Sequence, residues 1–168
     1  VAHPRLLVKA GDNSQAALVE RHLALDDAVY FNNVITEIKL DKNAALAYYR
    51  VQEEGAKALH ISGVHVHQDR DSRFNSHSTA LGNALLRNDI DVQLAATGAQ
   101  CALTGLYLAS GRQHVDTHTR IDHLQPHGTS NEFYKGILDG HGRGVFNGKV
   151  IVHPDAQKTD ARQVNQNL

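Results

Sequence analysis

Methionine and tryptophan are absent from the 168 residues, cysteine occurs once and proline three times. The single thiol, Cys101, excludes an internal disulfide framework and any paired-cysteine zinc or redox motif within the chain. No apolar run is longer than Ala44–Tyr49. A membrane helix needs about 20 apolar residues, so none is expected, and no stretch reads as a secretory signal. Charge of one sign is lacking too, with 17 Lys plus Arg against 18 Asp plus Glu. That balance gives no pull toward nucleic acid or an anionic membrane. Aromatics are only 5%, so any core is built from Leu, Val, Ile and Ala. With no initiator methionine, the chain is expected to be a piece of something longer.

What is abundant is histidine, at 12 residues. Imidazoles gain charge between neutral and mildly acidic pH, so solubility should vary there. The length suits one domain, residues 1–168, with no internal linker.

Helical signals are weak. The best stretch, Ser78–Arg87, is interrupted by Gly82. Strand signals recur throughout: Arg5–Lys9, Ala17–His22, Val29–Val34 and Thr36–Leu40 are short runs split by Gly, Asn or Asp. Thr36, Ile38 and Leu40 alternate with Glu37 and Lys39 as in a half-buried strand. Val115, Thr117, Thr119 and Ile121 do the same, which puts Asp116, His118, Arg120 and Asp122 on one outer face. Cross-strand charge pairing accounts for that face.

The spacing of the runs carries the fold. Glu132–Leu138 is echoed twelve residues later by Gly144–Val150, with Gly136 matching Gly148. A short fixed period predicts a solenoid, whose units bury their apolar faces only by stacking. Two such units per rung predict a two-faced β-helix of roughly seven rungs. An antiparallel sandwich or barrel has similar strand spacing, but two-residue hairpin turns are scarce. The polar segment Gln157–Asn167 reads in isolation as a disordered tail; in a solenoid its amides would stack as ladders. Gln125–Asn131 reads as a loop.

Catalytic signatures are missing. There is no phosphate-binding P-loop, no H-E-x-x-H and no G-x-S-x-G. The glycine-rich Gly140–Gly144 reads as a tight turn between rungs rather than a phosphate cradle. His65 and His67 share one strand face, about 7 Å apart, within reach of one metal ion. Val64 and Val66 then face the core, and a third ligand would come from His60, Asp69 or His77. The plainer alternative is a solvated outer face. Cys101 groups with Ala99 and Leu103 on the apolar face and is expected to be inert. One cysteine cannot supply the thiolates that an iron–sulfur cluster normally uses.

His3–Val8 followed by Gly11–Gln15 resembles the opening of the core of the SufB/SufD family of iron–sulfur cluster assembly proteins. The resemblance continues in Leu86–Asn88 with Val92–Leu94. It is strongest in Asp116–Arg120 with His123, in Gly142–Gly148, and in Gln157–Asp160 ending in Asn165–Leu168. It covers essentially the whole chain and looks like the SufD branch. The resemblance implies a right-handed parallel β-helix, all-β, here truncated at both ends. It implies a cytoplasmic, non-enzymatic scaffold subunit that works with SufB-like and SufC-like partners, SufC being the ATPase. It implies an iron–sulfur cluster for the full complex and no cofactor bound by this chain alone. Family members carry a later Cys-x-His segment at the SufB–SufD interface and helical regions at both ends. None of these matches a position here, so no interface residue carries over. A β-helix cut from a longer chain leaves open strand edges, so self-association is expected. The alternatives are a β-helix enzyme acting on polysaccharide, disfavoured by the scarce aromatics, and a histidine-rich metal-binding module.

Overall fold

A computed structural model describes all 168 residues. It contains twelve strands and no helix: β1 (Arg5–Ala10), β2 (Gln15–Leu23), β3 (Phe31–Leu40), β4 (Ala45–Glu53), β5 (Leu59–Gln68), β6 (Arg73–Ala80), β7 (Leu85–Leu94), β8 (Gln100–Ala109), β9 (His114–His123), β10 (Thr129–Leu138), β11 (Arg143–Val152) and β12 (Asp160–Asn167). The odd-numbered strands form one sheet in the order β1-β3-β5-β7-β9-β11, and the even-numbered strands form the other. Every pairing is parallel. The chain therefore alternates between two facing sheets and climbs one strand in each per turn. This is the β-helix expected from the sequence.

The number of turns differs from the expectation. There are six, and Leu59 pairs with Leu85 while Thr129 pairs with Asp160, so a turn takes 26 to 31 residues. The twelve-residue echo counted strand bodies and left out their corners. Gly136 and Gly148 accordingly lie on opposite sheets; Gly136 stacks between Tyr107 and Asn167, and Gly148 on Thr119.

The corners explain how the climb stays regular. Asn13, Asn43, Asp71, Gly98, His127 and Lys158 all have positive φ, between 54° and 75°, at the corner that precedes each even strand. Asn, Asp and Gly tolerate the left-handed region best, and four of the six are of those types. Each of the first five bends the chain so that its N–H reaches a carbonyl of the next turn, as Asn13 does to Lys42 and Asn43 to Arg70, both at 2.9 Å. Asn43 Nδ2 also donates to Asn13 Oδ1 at 2.9 Å, an amide step between turns.

Three local expectations change. The Ser78–Arg87 stretch is not helical: β6 ends at Ala80, a corner follows, and β7 begins at Leu85. Gly82 presses against the Glu54 carbonyl so closely that no Cβ fits, a contact between turns that outweighs local helix propensity. Val29–Val34 and Thr36–Leu40 are not two strands; from Phe31 onward they are one, β3. Gln157–Asn167 is not a loose tail, since β12 pairs along β10 and Asn167 accepts a hydrogen bond from Tyr107 at 2.6 Å.

The apolar interior is built as stacked rows. Ile38, Val66, Val92 and Ile121 lie on successive odd strands and are all buried. Leu46, Phe74 and Cys101 do the same on even strands. Burying a side chain of that size is worth roughly 1.5–3 kcal/mol, and no rung can collect it without its neighbours.

Candidate functional site

The outer face of the odd sheet carries the residues the sequence singles out. Val64 and Val66 are buried, so His65 and His67 project outward. With Glu37, Asp91 and Gln93 they line a shallow groove of about 300 Å3. His65 Nδ1 lies 3.3 Å from Asp91 Oδ2, and His67 Nδ1 lies 3.5 Å from Gln93 Oε1. The three residues considered as a third ligand are elsewhere. His60 points into the solenoid and is fully buried, Asp69 sits in a corner bonded to the Arg70 amide, and His77 lies outside the even sheet beside Thr104. No three His, Cys, Asp or Glu side chains converge closely enough to hold a metal ion.

Further along the same face, Thr117, Thr119 and Ile121 are buried, and Asp116, His118 and Arg120 face out. Charge pairing describes this strip. Arg87 Nη2 meets Asp89 at 2.7 Å and Arg87 Nη1 meets Asp116 at 2.5 Å. His118 faces Asp116 at 2.9 Å, and Arg120 donates to Asp122 at 2.8 Å. The hydrogen bond to Asp89 heads the causes that hold the Arg87 guanidinium above its ordinary value. The Gly140–Gly144 stretch is a corner followed by the start of β11, with Gly140 at φ 64°.

The interior holds a polar seam that alternation alone does not predict. Arg50 is the largest fully buried side chain, only 1% exposed. It reaches across from the even sheet to the odd one, donating to Ser62 Oγ at 2.9 Å and to Asn88 Oδ1 at 3.4 Å. Ser62 donates to Asn88 at 2.6 Å, and Asn88 to Gln52 at 3.3 Å. Beside Arg50, Glu20 takes hydrogen bonds from Tyr48 and His22. Burial pushes the Glu20 carboxyl up, but those bonds and the Arg50 charge outweigh it and bring it down to about 2.

The His22 ring meets the His60 ring edge-on, with centroids 4.7 Å apart. His60 Nδ1 lies 2.7 Å from Glu54 Oε2, and Glu54 also accepts from Asn32 at 2.7 Å and Asn83 at 2.8 Å. Burial again pushes Glu54 up, and these donors reverse it to about 2. Burial lowers His60 despite the neighbouring Glu54 carboxylate.

A third acid of the interior, Glu132, has one donor, Thr119 at 3.0 Å, and its Oε1 has none. Burial pushes it up to about 7. Cys101 is buried nearby, and burial followed by the Glu132 charge pushes its thiol far above the ordinary range. A protonated, enclosed thiol is neither a nucleophile nor a metal ligand. The seam binds the turns together through side-chain contacts between the two sheets.

A family model described as the SUF system FeS cluster assembly, SufBD core domain, matches residues 1–168. The chain belongs to the SufBD core family. It is 33% identical over its full length to an iron–sulfur cluster assembly SufBD family protein of Synechocystis, of which it covers 39%. It is 29% identical over 99% of its length to the iron–sulfur cluster assembly protein SufD of Escherichia coli, covering 40% of that protein. The chloroplastic protein ABCI7 of Arabidopsis thaliana is 29% identical, with 36% of it covered. The SufBD core thus spans well under half the length of these curated relatives. No helix of it is long and apolar enough to cross a membrane.

Proposed function

We propose that this SufBD core is a non-catalytic scaffold in iron–sulfur cluster assembly, acting in a SufBCD-type complex with SufB-like and SufC-like subunits. The observation that carries the reading is the match of the SufBD core model over every residue of a solenoid. The disposition of its reactive groups supports it: the thiol is enclosed, and Glu20 and Glu54 lie against His22 and His60 inside the solenoid. The cluster is cargo of the whole assembly, which works in the cytoplasm, and the chain alone holds no cofactor. β1, β2, β11 and β12 are the outermost strands of the two sheets, and pairing through such an edge with a SufB-like core, or with a second copy as a homodimer, is part of the same proposal. Co-purification with SufB-like and SufC-like subunits tests this. A defined complex in place of the homodimer is expected; a homodimer that persists unchanged beside the partner argues against the open edge as the interface.

A second, lesser property rests on His65, His67 and Asp91 lying on one face. We propose weak zinc or nickel binding there, through the two imidazoles. Loss of binding in His65→Ala with retention in His77→Ala supports it, and equal binding by both variants opposes it.

A further inference from the structure

At the start of β9 and β11, four basic side chains stand in a two-by-two array on the outside of the odd sheet. Arg112 and His114 lie two residues apart on one turn, and His141 and Arg143 on the next. Strand pairing sets Arg143 directly on His114. The corners stack in the same register, with His141 N–H bonded to Gly111 O and Arg143 N–H to Gln113 O, both at 2.9 Å. His114 and Arg143 open their strands, neighbouring strands lie roughly 4.8 Å apart, and Arg112 and His141 sit in the stacked corners just before them. The array is therefore compact, with arginine and histidine alternating along both directions.

These four residues alone line a concavity of about 480 Å3, with no acidic and no apolar side chain. None of the four makes an ion pair. That sets the corner apart from the middle of the same face, where Arg87, Arg120, His65 and His118 each meet an aspartate. The nearest acid along β9, Asp116, is already engaged by Arg87 and His118. The two guanidiniums stand diagonally across the array, each facing an imidazole of the other turn, and neither meets a carboxylate.

We propose that this corner is an anion site for a diphosphate group. Two guanidiniums present planar forks that match phosphate oxygens two at a time, and each imidazole adds a ring N–H. A single oxyanion would meet one fork; two linked phosphates span both turns and reach both arginines. The site lies on the outside of the solenoid, away from the buried seam and from the His65 groove, and stands independently of the scaffold reading.

Calorimetric titration with inorganic pyrophosphate in low-chloride buffer tests it, with adenosine diphosphate as a second arm. Saturable one-to-one binding is expected, weakened at least tenfold in Arg112→Gln/Arg143→Gln and unchanged in Arg73→Gln, an arginine on the other sheet. Equal affinity for the two probes assigns the free diphosphate; tighter binding of the nucleotide assigns a nucleotide-borne one. All three arginines changed in these tests are on the surface, and matched thermal midpoints establish that the variants fold. Absence of saturation at millimolar probe, or equal weakening in Arg73→Gln, overturns the site and leaves only nonspecific attraction.

Discussion

Arg50 on the even sheet donates to Ser62 on the odd sheet at 2.9 Å, through the middle of the solenoid. A buried guanidinium is tolerated because Ser62, Asn88 and the Glu20 charge surround it. Removing it strands those partners in a dry interior. Arg50→Ala is expected to cost about 3–5 kcal/mol, read as a lower urea midpoint. A loss below about 1 kcal/mol, the scale of an exposed pair, would show that the seam is solvated.

Tyr134 lies over Gly105 on the neighbouring strand, and Tyr107 over Gly136. Each ring occupies the space that a side chain on its partner would fill. Gly105→Ala puts a methyl into the Tyr134 ring and is expected to destabilise by roughly 1–3 kcal/mol. In a Tyr134→Val background the same change should cost much less, because the collision is gone. Equal costs in both backgrounds would place the effect in the backbone instead.

The buried acids pull stability in opposite directions with pH. Glu20 and Glu54 are held near 2, below the ordinary 4.5. Their contribution is whole above pH 4.5 and is lost as pH falls toward 2. Glu132 is raised to about 7, so its contribution is whole below 4.5 and is lost as pH rises through 7. Glu132→Gln should therefore raise stability at pH 8 by roughly 3 kcal/mol, read as a higher thermal midpoint, and leave it unchanged at pH 4. An equal gain at both pH values would mean that Glu132 is not the titrating group.

Cys101 is enclosed, and its thiol is raised by burial and the Glu132 charge. Its reaction with a thiol reagent should follow the unfolding rate and accelerate only when denaturant opens the core. Fast labelling of the native protein would show that this rung breathes or that the thiol faces outward.

The β-helix was legible because strand alternation and the absence of helix periodicity survive in single segments. Thr36, Ile38 and Leu40 are buried as their pattern indicates, and so are Val115, Thr117, Thr119 and Ile121. The true turn length was not, because the echo between Gly136 and Gly148 joins facing sheets rather than stacked strands. Its signal lies in the corners: Asn13, Asn43, Asp71 and Gly98 recur at the spacing of a whole turn. The polar seam was hidden for another reason. Arg50, Glu54 and Glu132 look like surface residues in isolation, and only partners 12 to 38 residues away make their burial tolerable. The basic corner was hidden likewise, since Arg112 and Arg143 meet only after a full turn.

The scaffold reading stands or falls on where the cluster resides. Anaerobic reconstitution with iron and sulfide, followed by visible absorbance, compares the chain alone with the chain mixed with SufB-like and SufC-like subunits. The account predicts a stoichiometric cluster chromophore in the complex and none on the chain alone, because one enclosed thiol cannot hold a cluster. A stoichiometric chromophore on the chain alone, lost in Cys101→Ala, would contradict it.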